Sequence, residues 1–181
     1  MTDQPLQKLY VKLRSNQRLN VFVMLTRLLL GFAFIPSGLK KVLAQRFTQI
    51  STDHPIGYFF EALYQTGNYW VFLGLAQLVT AFLLMTQRFA TLGAVLFFCI
   101  TINIWMITLA LHFQGTWVIT SLMMMAAAML LLWDLRKLKM LVAPDNFDYR
   151  HPAEVYPTYN KYWSIAGLFI FVASLGVLLL S

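Results

Sequence analysis

The chain has 181 residues, of which 59% are hydrophobic and only 12% charged, with a net charge of +7 and a mean hydropathy of +0.65. A soluble domain carries about 25% charged residues, so most of this surface is not built to face water and a soluble globular fold is excluded. The basic residues stand beside apolar runs, which fits membrane topology and not nucleic-acid binding. The single cysteine, Cys99, excludes an internal disulfide.

Residues 1–20 are polar and basic, with Lys8, Lys12, Arg14 and Arg18 against Asp3. They read as a cytoplasmic segment ahead of a retained membrane span, because Arg27 interrupts the apolar part and no small-residue cleavage pattern follows. The first span runs from Val21 to Leu39. Within and just after it, Arg27, Gly31, Phe34, Gly38 and Lys41 are spaced 4, 3, 4 and 3 residues apart, which puts all five on one helical stripe. A cation in hydrocarbon costs at least about 2.5–3.5 kcal/mol, so Arg27 should face protein or water and not lipid. Glycines on the same stripe allow a second helix to approach closely. This face is therefore expected to be the seam of the bundle. Pro36 is expected to kink or loosen the helix, and an amphipathic continuation is expected to about Phe47.

Residues 49–69 form the longest outer connection. After the polar break Ser51 to Pro55, the segment Ile56 to Tyr64 is aromatic-rich and too short to span. It reads as a lid packed on the outer helix ends, with an access lid over an interhelical pocket as its functional alternative. The second span, Trp70 to Met85, repeats small and polar residues at Gly74, Gln77, Ala81, Leu84 and Arg88. The short turn Thr86-Gln87-Arg88 makes it a hairpin with the third span, Phe89 to Leu111.

On the third span Phe97, Thr101, Trp105, Thr108 and His112 share a face, with Asn103 off it. The threonine hydroxyls are expected to bond carbonyls one turn back in their own helix. The fourth span, Trp117 to Trp133, carries methionines and a run of alanines suited to close packing. Asp134 beside Arg136 and Lys137 reads as a cap and anchor at the inner surface. A cytoplasmic connection occupies 140–161, and a last span, Tyr162 to Leu180, closes the chain within residues 162–181. Trp70, Trp117 and Trp133 read as interfacial anchors.

With the N-terminus inside, ten lysines and arginines lie on inner segments and three, Lys40, Lys41 and Arg46, on outer ones. That asymmetry places the N-terminus in the cytoplasm and the C-terminus outside. The expected architecture is an all-α membrane protein, a four-helix bundle over residues 21–139 with a fifth C-terminal transmembrane helix.

The stretch from Arg27 to Lys41, R-x3-G-x6-G-x2-K, resembles the opening of the DoxX/DoxD family of small membrane proteins. GNYWVFLGLAQLVTAFLLMTQRFATLGAV and LLLWDLRKL are similar to later parts of the same family, and the likeness covers roughly residues 22–139. It implies a four-helix membrane bundle in a bacterial cytoplasmic membrane. Some members are subunits of thiosulfate:quinone oxidoreductase, and related bundles have redox or assembly roles. Where many members have a glutamate near position 77, this chain has Gln77.

The candidate ligand-binding residues are Arg27, Lys41, Gln77, Thr101, Asn103, Trp105 and His112. Counting about 1.5 Å per residue, Arg27 lies roughly 9 Å from Val21 and Gln77 roughly 12 Å from Met85. Their depths suit a direct or water-bridged contact, or a small polar pocket for a quinone carbonyl or an anion. One amide cannot satisfy the five donors of a guanidinium. The scattered His54, His112 and His151 show no metal-ligand spacing, and no catalytic motif is present. Three readings follow: a non-catalytic membrane subunit or assembly factor with no cofactor, a quinone-linked redox protein binding near Arg27 and Gln77, and a small transporter. The partners expected are lipid and other membrane proteins or further copies of the chain.

Overall fold

In a computed structural model the chain is described at residues 10, 12–142 and 161–180. Much of the expected connection at 140–161 and most of the first ten residues lie outside that set. Among the described residues the protein is all-helical, with five helices long and apolar enough to cross a membrane. We label the elements α1 (Gln17–Val42), α2 (Pro55–Gln65), α3 (Asn68–Met85), α4 (Ala90–Ala110), α5 (Thr116–Trp133), α6 (Leu135–Val142) and α7 (Lys161–Leu180).

Helix α1 begins four residues earlier than the apolar run does. Asn16 caps it, its side-chain oxygen accepting from the Arg18 amide at 3.0 Å. The helix runs unbroken through Pro36. At about 1.5 Å per residue its 26 residues span roughly 39 Å, more than a hydrocarbon core of about 30 Å. Its far end therefore reaches headgroup depth. The expected continuation to Phe47 does not form. Ala44 takes a left-handed conformation, φ 51°, and the Gln45 amide turns back to the Lys40 carbonyl at 2.8 Å, which closes the helix.

The stripe Gly31, Phe34, Gly38 and Lys41 is buried, while Phe22, Leu25, Leu29 and Phe32 on the opposite face are exposed. The buried stripe meets α3, which runs antiparallel: Gly31 faces Ala81 and Met85, and Gly38 faces Gly74 and Leu78. The backbones nearly touch there. A Cβ on Gly74 would lie 2.6 Å from the Gly38 carbonyl oxygen. Because lipid is as apolar as any core, such close packing is what holds membrane helices together.

Helices α1, α3, α4 and α5 close a four-membered ring around Phe34, Ile35, Leu84, Phe97, Ala127 and Leu130. Phe34 and Phe97 stack at 4.2 Å between ring centres. Helix α7 leans on the outside of α1 and α3. Its Ser164 hydroxyl donates to the Thr86 carbonyl, and Gly167 lies so close to the Met85 backbone that no side chain fits. The large side chains left exposed on the five long helices are nearly all apolar, as a lipid-facing surface requires.

Candidate functional site

Polar side chains gather at both ends of the ring, and Arg27 and Gln77 belong to different ends. The α1–α3 register sets Gln77 opposite Ser37, and ten residues, about 15 Å of helix, separate Ser37 from Arg27. Side chains also lean toward the N-terminus of their own helix. On antiparallel helices Arg27 and Gln77 therefore diverge. The expected Arg27–Gln77 contact is corrected on both grounds.

Arg27 instead reaches a carboxylate. Its Nη2 donates to Asp134 Oδ2 at 2.8 Å and its Nη1 to Gln87 Oε1 at 3.1 Å. Arg14, from the helical residues 12–15 before α1, donates through Nη2 to Asp134 Oδ1 at 2.7 Å and to the Trp133 carbonyl at 2.6 Å. Thr91, at the start of α4, donates to Oδ2 at 2.9 Å, and Lys137 Nζ lies 3.6 Å from Oδ1. The side chains of Asp134, Arg14 and Arg27 are only 1%, 3% and 11% exposed. One carboxylate thus ties together the N-terminal segment, α1, the start of α4 and the α5–α6 junction. Burial pushes the Asp134 carboxyl up, but Arg27, Lys137, Thr91 and Arg14 outweigh it and hold the group below its ordinary value.

Sequence reasoning gave Asp134 the role of a surface cap and anchor beside Lys137, and missed Arg14, Gln87 and Thr91 as partners of this cluster. A signal was present. Asp134 is the only acid between Glu61 and Asp145, and it directly follows an apolar span on the same side as the start of α1.

The second polar group sits at the other end. Lys41 is 7% exposed. Its Nζ donates to the Ser37 carbonyl at 3.1 Å and to Ser37 Oγ at 2.6 Å, and Ser37 Oγ donates to Gln77 Oε1 at 3.3 Å. Phe47 and Trp70 flank the ammonium, with ring centres 4.8 and 5.0 Å from Nζ. Trp70 is buried, its Nε1 donating to the Gln45 carbonyl at 3.1 Å, so it is a wall of this group and not the expected interfacial anchor.

Helix α2 closes over this end. Phe60 meets Phe47 at 5.0 Å and Phe113 at 6.5 Å, and Tyr64 meets Trp70 at 6.3 Å. Outside, Arg46 and Glu61 form a two-pronged ion pair at 2.8 and 3.0 Å, which holds the Glu61 carboxyl below its usual value.

The remaining candidates scatter along α4. Thr108 bonds the Trp105 carbonyl at 2.8 Å, less than one turn back, and shares a 2.9 Å bond with Thr120. Thr101 is fully buried, yet its hydroxyl has no partner among the described residues, contrary to the expected backbone bond. Trp105 donates to Ser121 at 2.8 Å. Asn103 faces outward and bonds the Cys99 carbonyl at 2.7 Å. His112 lies in the α4–α5 turn with φ 52°. The structure does not bring the candidates Thr101, Asn103, Trp105 and His112 to Arg27 in one pocket.

A family model, DoxX, matches residues 22–112. No curated protein and no solved structure matches the chain.

Proposed function

The chain belongs to the DoxX family of membrane proteins, and from that premise we propose that it works as a non-catalytic integral subunit or assembly factor of a larger membrane complex. The engagement of Arg27 by Asp134 and Gln87 supports this reading most strongly. An intramembrane cation ordinarily marks a ligand or ion path. Here it is matched by a carboxylate and locked between four segments, which is the behaviour of a structural fastener. The apolar faces of α5 and α7 are then the surfaces offered to partner helices or to further copies of the chain. The distribution of lysine and arginine favours a cytoplasmic N-terminus, and a bacterial inner membrane is the setting we propose. Purification in mild detergent followed by mass spectrometry tests the role. A protein recovered in fixed ratio supports it, and a solitary chain from gentle preparations contradicts it.

A quinone-linked role keeps Gln77 but loses Arg27 from its headgroup site. It predicts extractable quinone in the same preparations and its loss in Gln77→Leu.

A further inference from the structure

We propose that Lys41, Ser37 and Gln77 form a binding site for the singly charged oxyanion headgroup of an amphiphile. The two buried cation groups differ in one respect. Arg27 and Arg14 share Asp134, whereas no carboxylate pairs with Lys41 among the described residues. An ammonium withdrawn from water without a counter-charge is strongly unfavourable. Ser37 offers it only neutral oxygens, and Phe47 and Trp70 offer only ring faces.

The group is also rich in donors. An ammonium has three N–H bonds and an amide two. Lys41 directs its hydrogen bonds to Ser37 alone, and Gln77 accepts through Oε1 while its amide nitrogen donates to nothing among the described residues. Donors from two helices, linked through one serine, therefore lack an acceptor. One oxyanion of charge −1 supplies both the acceptor and the counter-charge.

Position decides what carries that oxyanion. Lys41 stands one residue from the end of α1, at the depth of lipid headgroups, and its surroundings are aromatic. An anionic head on an apolar tail fits both. The carboxylate of a fatty acid and the phosphodiester of an anionic phospholipid share this chemistry. The site is independent of the accessory role, since a structural subunit and a redox protein could each carry it.

The test uses the full chain in a non-ionic maltoside, delipidated, with laurate, phosphatidylglycerol, methyl laurate and a short-chain quinone as separate probes, read by native mass spectrometry. Laurate or phosphatidylglycerol should bind at least tenfold more tightly than methyl laurate, and which of the two binds identifies the source. Lys41→Gln should remove that preference, whereas the neighbouring Lys40→Gln should keep it. Gln77→Leu should weaken binding severalfold and carries the test if Lys41→Gln does not fold. Equal binding of laurate and its methyl ester, with phosphatidylglycerol no tighter, overturns the site. Undiminished binding in folded Lys41→Gln, or in Gln77→Leu, does the same. Tighter binding of the quinone than of either anion also overturns it, while leaving the accessory role to be judged by its own partner search.

Discussion

The two ends of the bundle bury cations in opposite ways. At one end Asp134 gathers Arg14, Arg27, Thr91 and Lys137, so the buried cations share a carboxylate. At the other, Lys41 meets only a serine and two aromatic rings, none of which carries a counter-charge. Burial alone does not separate them, for both cations are largely hidden from solvent. The difference lies in what a deletion leaves behind. Removing Asp134 takes the carboxylate from two buried arginines, whereas removing Lys41 strands no charge.

The largest effect should follow Asp134→Ala. Breaking a buried pair by deleting one partner costs about 3–5 kcal/mol, and here the deleted partner serves two arginines. Thermal unfolding in detergent should show a midpoint lower than that of Arg27→Leu, Lys41→Leu or Glu61→Gln, and a midpoint near that of wild type would erase the contrast between the ends. Arg27→Leu should be next. It leaves Asp134 with Arg14, Thr91 and Lys137, so its loss should be clearly smaller than that of Asp134→Ala yet larger than that of Leu178→Ala.

Acid should act mainly on the Asp134 end, because the paired carboxyl at the other end, Glu61, belongs to a solvent-exposed ion pair of small worth. The folded-state pKa of Asp134 lies below its reference of 3.8, so the carboxylate contributes stability that is present above that value. That contribution is lost as pH falls through the folded pKa. Unfolding midpoints followed downward from pH 5 should therefore drop more steeply in wild type than in Asp134→Ala. Parallel curves would assign the acid sensitivity to other groups.

Smaller still is the effect of Lys41→Leu in delipidated protein, since the change removes an uncompensated cation and leaves only neutral partners. Its midpoint should stay close to that of wild type or rise, and a drop as large as that of Arg27→Leu would show that the ammonium is structurally essential. Glu61→Gln should be the weakest. It breaks an ion pair open to solvent, and no measurable change in midpoint is expected.

The bundle was legible in the sequence because the lipid imposes its own pattern. Long apolar helices and a buried stripe of glycines follow from length and spacing. The pairing of polar groups was harder to read. Depth along one helix was available, but the α1–α3 register was not, and that register sends Gln77 to Ser37. Side-chain direction on antiparallel helices, a general property of helical geometry, would have parted Arg27 from Gln77 before any coordinates. Arg14 was beyond reach of periodicity, since it lies ahead of the apolar span and meets Asp134 only through the fold. Thr101 shows the same limit from the other side: its spacing predicted a backbone bond, and its hydroxyl has no partner among the described residues.

The coupling between Arg27 and Asp134 measures the fastening of the bundle most directly. A double-mutant cycle of Arg27→Met and Asp134→Ala, read by reversible unfolding in detergent, isolates it. Groups in direct ionic contact should couple by about 1–3 kcal/mol, with the double variant losing less than the two single losses combined. Additive losses, with a coupling within about 0.5 kcal/mol of zero, would contradict a bundle fastened by that carboxylate.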